Sequence, residues 1–112
     1  MIIELGRLTQ EVKLTAVNID GNEKKVVNNR LAINQGKDKT AFIDISAWAQ
    51  SAEFIANNFK KGDEIYVVGE LRNKQYHVSE EKNVSVPYIN INQVKFTHGR
   101  QKSNDELEGD LL

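Results

Sequence analysis

The chain has 112 residues, no cysteine, and 15 Lys/Arg against 16 Asp/Glu, for a net charge of −1. That length suits one domain with a modest core, and the missing cysteines exclude disulfide frameworks, thiolate metal sites and a cysteine nucleophile. The apolar runs are too short to span a bilayer and no basic-then-apolar leader opens the chain, so a soluble cytoplasmic protein with no membrane association is expected.

Residues 2–17 are rich in strand formers, with Arg7, Thr9, Glu11 and Lys13 alternating against Leu8, Val12 and Leu14. Gly6 inside this run marks a bulge, a barrel corner or a close backbone approach. A long first strand bent at Gly6 suits a small closed barrel. Asp20 and Gly21 give a tight-turn signal between two β-prone runs. Residues 26–34 read as the second strand, with Val27, Asn29, Leu31 and Ile33 on one face and Asn28, Arg30, Ala32 and Asn34 on the wetter one. The loop QGKDK at 35–39 carries Lys37 and Lys39; it suits a phosphate-contacting tip or simply a solvated turn.

The third strand, FIDISAW at 42–48, puts Ile43, Ile45 and Ala47 on a core face. The opposite face holds Asp44 and Ser46 between two rings, Phe42 and Trp48, roughly 20 Å apart at about 3.3 Å per residue. Large rings on the wet side of a strand call for something flat to stack on them. Trp48 could also serve as a lid over the following helix start, and Phe42 could cover a barrel edge.

The period then changes from two to 3.6. Ala52, Ile55, Ala56 and Phe59 form one apolar helical stripe, with Ser51 expected as N-cap, Gly62 as the C-terminal stop, and Lys60 and Lys61 in the last turn. The fourth strand, 65–76, puts Ile65, Val67, Gly69 and Leu71 on one face. Tyr66, Val68, Glu70, Arg72, Lys74 and Tyr76 share the other, provided no bulge shifts the phase. A polar hairpin follows with its tip near residues 80–83, and Pro87 suits a strand start or edge. In the fifth strand, 88–96, Ile89 and Ile91 differ in parity from Val94 and Phe96, which predicts a bulge near Asn92 and Gln93. The expected fold is all-β: a five-stranded barrel with one helix between strands 3 and 4, the plan of the OB-fold.

Domain organisation is read as residues 1–97 for the barrel and 98–112 for a flexible acidic tail. The tail holds Arg100 and Lys102 against Asp105, Glu106, Glu108 and Asp110, and ends in Leu111 and Leu112. It suits either a docking peptide or a solubilising end. Without it the body carries 13 Lys/Arg against 12 Asp/Glu, so affinity for a polyanion must come from local placement and stacking rather than bulk charge.

No enzyme is expected, and no cofactor or metal. His77 and His98 lack ligand spacing, Glu80 with Glu81 and Asp105 with Glu106 are adjacent pairs in polar segments, and no phosphate-cradling glycine motif occurs. Rings interleaved with cations on a sheet face suit a single-stranded nucleic acid, because every base has a π-face and every linkage a negative charge. Tyr66 and Tyr88 stay open between stacking, core and subunit interface. Phe54 suits a barrel cap or an oligomer contact, while Phe59 and Phe96 read as core.

The run WAQSAEFIANNFKKGD at 48–63, followed by VGELR at 68–72 and Tyr76, closely resembles the bacterial single-stranded DNA-binding protein family. That family shows an aromatic, Gly-Lys, Ala-Glu, a helix, Lys-Gly-Asp, a Gly-x-Leu strand and a further aromatic. IELGRLT at 3–9 is similar to its first-strand motif and NRLAIN at 29–34 to its second strand, so the likeness spans about residues 2–97. It implies an OB-fold that wraps single-stranded DNA without strong sequence preference, as a homotetramer or homodimer, in replication, recombination or repair. The family's stacking rings carry over to Phe42, Trp48 and Tyr76, and its backbone-contacting cations to Arg7, Arg30, Lys37, Lys39, Arg72 and Lys74. Its acidic tip, which docks replication and repair proteins, corresponds to Asp105, Glu106, Glu108, Asp110, Leu111 and Leu112.

Three departures stand out. The 35–39 loop is short and lacks an aromatic, the long Gly/Gln/Pro-rich linker is absent, and the tip lacks the family's Pro-Phe ending. They suggest a reduced form of the bacterial nucleoid protein, encoded by a phage or mobile element, or an accessory paralogue. The alternative reading is a primosome-type OB-fold adaptor acting mainly through protein contacts; single-stranded RNA is a third candidate ligand.

Overall fold

The computed structural model describes residues 1–97. Its elements are strands β1 (Ile2–Leu8), β2 (Thr15–Ile19), β3 (Asn22–Asn34) and β4 (Thr40–Trp48), helix α1 (Gln50–Asn58), and strands β5 (Glu64–Ser79) and β6 (Lys82–Lys95). The tail residues Asp105, Glu106, Glu108, Asp110, Leu111 and Leu112, and His98 with them, lie outside the described residues. No helix among the described residues is long and apolar enough to cross a membrane.

The strands run in the order β1-β5-β6-β4-β3-β2, and β1 also pairs with β3. That extra pairing sets Arg7 opposite Ala32 and Leu8 opposite Leu31. It closes β1, β5, β6, β4 and β3 into a five-stranded ring, with α1 between the third and fourth ring strands in chain order. This is the expected OB-fold. Closure draws two backbones together at Gly6, where an added Cβ would stand 2.8 Å from the Ala32 carbonyl oxygen. A side chain there would push the ring open.

Inward-facing residues alternate along each strand and meet in one core of Leu8, Val27, Leu31, Ile45, Ala47, Ile65, Val67, Ile89 and Ile91. The helix adds Ala52 and Ile55 to it, and Phe59 follows just past the last turn. The rings of Phe54, Phe59 and Phe96 cluster with centroids 5.3 to 6.1 Å apart, which assigns Phe54 to packing within the chain.

Four local expectations change. First, the leading strand stops at Leu8, and Thr15–Ile19 is a separate strand whose pairing among the described residues is with β3. The chain leaves the ladder because the buried Asn29 amide takes over as partner, accepting from the Gln10 N–H at 3.2 Å and donating to the Gln10 carbonyl at 3.1 Å. Second, the helix starts one residue before Ser51. Its N-cap is Ala49, held at φ 55°, with no side-chain cap. Third, Gly62 has φ 91° but lies in a turn beyond the helix, closed by Asp63 N–H to Lys60 C=O. Lys60 and Lys61 sit in that turn and not in the last helical turn. Fourth, β6 begins at Lys82 rather than residue 88, because β5 and β6 continue as a two-stranded arm beyond the ring.

The other turn signals hold. Asp20 and Gly21, at φ 52° and 82°, join Ile19 to its partner Asn22, the positive-φ pair that a two-residue hairpin needs. The β5–β6 register passes from Val68 opposite Gln93 to Gly69 opposite Ile91, so Asn92 is the extra residue of the predicted bulge. Both flanking apolar pairs thereby face inward. Pro87 stands just before Tyr88, where β4 pairing begins, so β6 is still an edge on that side.

Candidate nucleic-acid interface

Residues opposite one another in a ladder share a sheet face, so the register maps the outer surface. Across β3 and β4, Ala32 faces Phe42, Arg30 faces Asp44, Asn28 faces Ser46 and Val26 faces Trp48. Across β4 and β6, which run parallel, Asp44 faces Tyr88 and Ser46 faces Asn90. Across β5 and β6, Arg72 faces Tyr88, Lys74 faces Val86 and Tyr76 faces Val84. One row therefore crosses four strands: Arg30, Asp44, Tyr88, Arg72. A second starts at Arg7, opposite Ala32, and runs to Phe42.

Phe42 is 60% exposed between half-buried Ala41 and Ile43, and Tyr76 is 48% exposed on the two-stranded arm, where its neighbours Gln75 and His77 are exposed as well. Trp48 is half-buried beside buried Val26. Ser46, expected on the wet side, is buried between its cross-strand neighbours Asn28 and Asn90. The outer face thus breaks into an exposed end at Phe42 and a more covered end at Trp48.

The cations are partly committed. Arg30 Nε donates to Asp44 Oδ1 at 2.9 Å and Arg72 Nη2 lies 3.5 Å from Glu70 Oε1. The Lys74 ammonium sits 4.9 Å from the Tyr88 ring centroid, a cation–π contact. Arg7 Nη1 donates to the Gly62 carbonyl at 3.2 Å. Lys37 and Lys39 are exposed on the 35–39 loop. A cleft of about 670 Å³ opens where β1 and β3 part, and is lined by Gly36, Asp38 and Lys39 of that loop together with Glu4 and Arg7. Among the described residues, no group of three or more His, Asp or Glu is placed to hold a metal ion.

The structure thus brings Phe42, Arg7, Arg30, Arg72, Lys74 and Tyr76 onto one continuous outer surface, with Trp48 at its far end and Lys37 and Lys39 at its loop margin. The sequence left Tyr88 open between stacking, core and subunit interface, and did not single out Lys24. Tyr88 enters through the parallel β4–β6 pairing, which no local pattern announces. Lys24, exposed, shares parity with Val26 and so lies on the same face beyond Trp48; the alternation along residues 24–34 was the available signal.

A five-stranded OB ring bearing rings and cations on one outer surface defines a class of oligonucleotide-binding barrels. Comparison with known proteins narrows the class. A model of the single-strand binding protein family matches residues 1–97, and the chain belongs to that family. It is 29% identical over 96% of its length to a single-stranded DNA-binding protein of Oceanobacillus iheyensis, covering 70% of that protein. It is 30% identical over 88% of its length to one of Halalkalibacterium halodurans, covering 61%. Among solved structures, a deletion mutant of the single-stranded DNA binding protein from Thermus aquaticus superposes with a TM-score of 0.66 at 24% identity, over 85% of this chain and 39% of that one. This last likeness speaks for the fold.

Proposed function

We propose that this chain binds single-stranded DNA without strong sequence preference, by stacking bases on Phe42, Trp48 and Tyr76 and pairing phosphates with Arg7, Arg30, Lys37, Lys39, Arg72 and Lys74. Such binding protects exposed strands during replication, recombination or repair in the bacterial cytoplasm. The observation that carries the reading is Phe42: a phenyl ring 60% exposed on the outer face of a barrel strand, in the Arg7 row and next to the Arg30 row. An ordinary surface position gains nothing from that much exposed ring, whereas an unpaired base supplies the missing partner. The relatives named as single-stranded DNA-binding proteins support the same conclusion.

Residues 1–97 act as the binding unit, and 98–112 serve as an acidic tail for protein partners. Self-association uses β1. Past Gly6 toward its start, that strand pairs with β5 but not with β3 among the described residues. Its outward Ile3 and Leu5 are 51% and 46% exposed, so an open edge coincides with apolar surface.

The test is a titration of Trp48 fluorescence with oligothymidine and with a duplex of equal length. Quenching by the single strand and not by the duplex is expected. Equal quenching by both, or by neither, contradicts the proposal.

A further inference from the structure

On a surface of rings and cations, Asp44 is one of two acids beside an arginine, the other being Glu70. Asp44 occupies the middle of the cross-strand row, with Arg30 on one side and Tyr88 on the other. It also lies two residues from Phe42 on the same strand face, about 7 Å away. An uncompensated carboxylate there would repel phosphates. Arg30 Nε donates to Oδ1 at 2.9 Å, which balances the charge, and the Asp44 side chain remains 27% exposed. The second oxygen, Oδ2, has no protein partner among the described residues. The site is therefore a held, reachable acceptor next to an exposed ring.

We propose that Asp44 reads guanine in a base stacked on Phe42, adding a local preference to otherwise sequence-tolerant binding; this rests on the single-stranded DNA reading above. The chemistry selects the base. An ionised carboxylate only accepts hydrogen bonds, through two oxygens with about four lone-pair sites. Guanine is the one base with two adjacent donors on its Watson–Crick edge, N1–H and the N2 amine, which match those oxygens. Adenine and cytosine offer a single exocyclic amine. Thymine offers N3–H flanked by two carbonyls, whose lone pairs oppose the carboxylate. In an unpaired strand these edges are open to be read. Arg30 fixes the carboxylate in place, so little ordering remains to be done when the base arrives. Tyr88, with Lys74 over its ring, walls the opposite side and keeps the base over Phe42.

The experiment measures dissociation constants by anisotropy for labelled oligothymidine and for the same strand with isolated guanines. A third strand carries inosine, which lacks the N2 amine, in place of each guanine. The wild-type chain is expected to favour the guanine strand over oligothymidine by roughly fivefold to tenfold, the low end for a two-point base contact at an exposed site. It should lose most of that preference with inosine. Asp44→Asn, nearly isosteric and still able to accept from Arg30, is expected to abolish the preference. The same variant should bind oligothymidine about twofold to fivefold more tightly, because one surface anion is gone. Equal wild-type affinity for guanine and inosine strands overturns the inference, as does a guanine preference that survives in Asp44→Asn. A wild-type chain that binds none of the three strands overturns the single-stranded DNA reading itself, and this inference falls with it.

Discussion

Phe42→Ala separates binding from folding more cleanly than any other change on this surface. The ring is 60% exposed, so about two-fifths of its area is removed from water in the free protein. Full burial of a Phe side chain is worth about 1.5–3 kcal/mol, which makes the folding cost of truncation about 1 kcal/mol. Stacking of a base on an aromatic side chain is worth about 1–3 kcal/mol, or about fivefold to 150-fold in dissociation constant. A loss of at least about fivefold in affinity for oligothymidine is therefore expected, with the circular dichroism spectrum retained and melting only slightly lowered. Anisotropy of a labelled strand is the assay, repeated across a salt series. Because the phenyl carries no charge, the slope of log K against log salt should not change. Trp48→Ala makes the contrast: its ring is half-buried beside Val26, so its affinity loss should come with a larger loss of stability. Binding by Phe42→Ala within twofold of the wild type, with the fold intact, would refute stacking as the source of affinity.

Three further expectations address charge, assembly and backbone strain. Arg72→Ala should reduce the salt slope by about 0.7, the value of one phosphate contact on a single strand; an unchanged slope means that Arg72, 3.5 Å from Glu70, stays with its acid. Ile3→Asp together with Leu5→Asp should lower the mass measured by light scattering to that of a monomer without altering the circular dichroism, and an unchanged mass removes β1 from the interface. Ala49→Gly should raise stability by about 1 kcal/mol, because Ala49 holds φ 55° and ψ −122°, a region that penalises a Cβ. That corresponds to about 4–8 °C in melting temperature for a domain of this size, and no increase means that the strain at Ala49 is relieved elsewhere.

Much of the fold was legible because alternation is a local property. Each strand's inward set, such as Val27, Leu31, Ile45, Ile65 and Val67, follows from a two-residue period read along the chain. The parity conflict between Ile91 and Val94 forces a bulge in any sheet that buries both. Asp20 and Gly21 identify their turn by the backbone angles that only a few residues tolerate. Ser51 misled, because capping preference is a weak local term and here the chain enters the helix through a strained Ala49 instead. The expected long first strand failed for a non-local reason: the partner that ends it is the side chain of Asn29, far away in sequence.

The candidate surface divides in the same way. Sequence alone determined that Phe42 and Trp48 share a strand face, and that Arg72, Lys74 and Tyr76 share another, since side chains in a strand must alternate. It could not say that these two faces are one surface. That was decided by the parallel pairing of β4 with β6, which sets Asp44 beside Tyr88 and Tyr88 beside Arg72, and by the contact between β1 and β3 that closes the ring and sets Arg7 in line with Phe42. Pairing between distant strands depends on how the whole core closes, and no short window of residues contains that information.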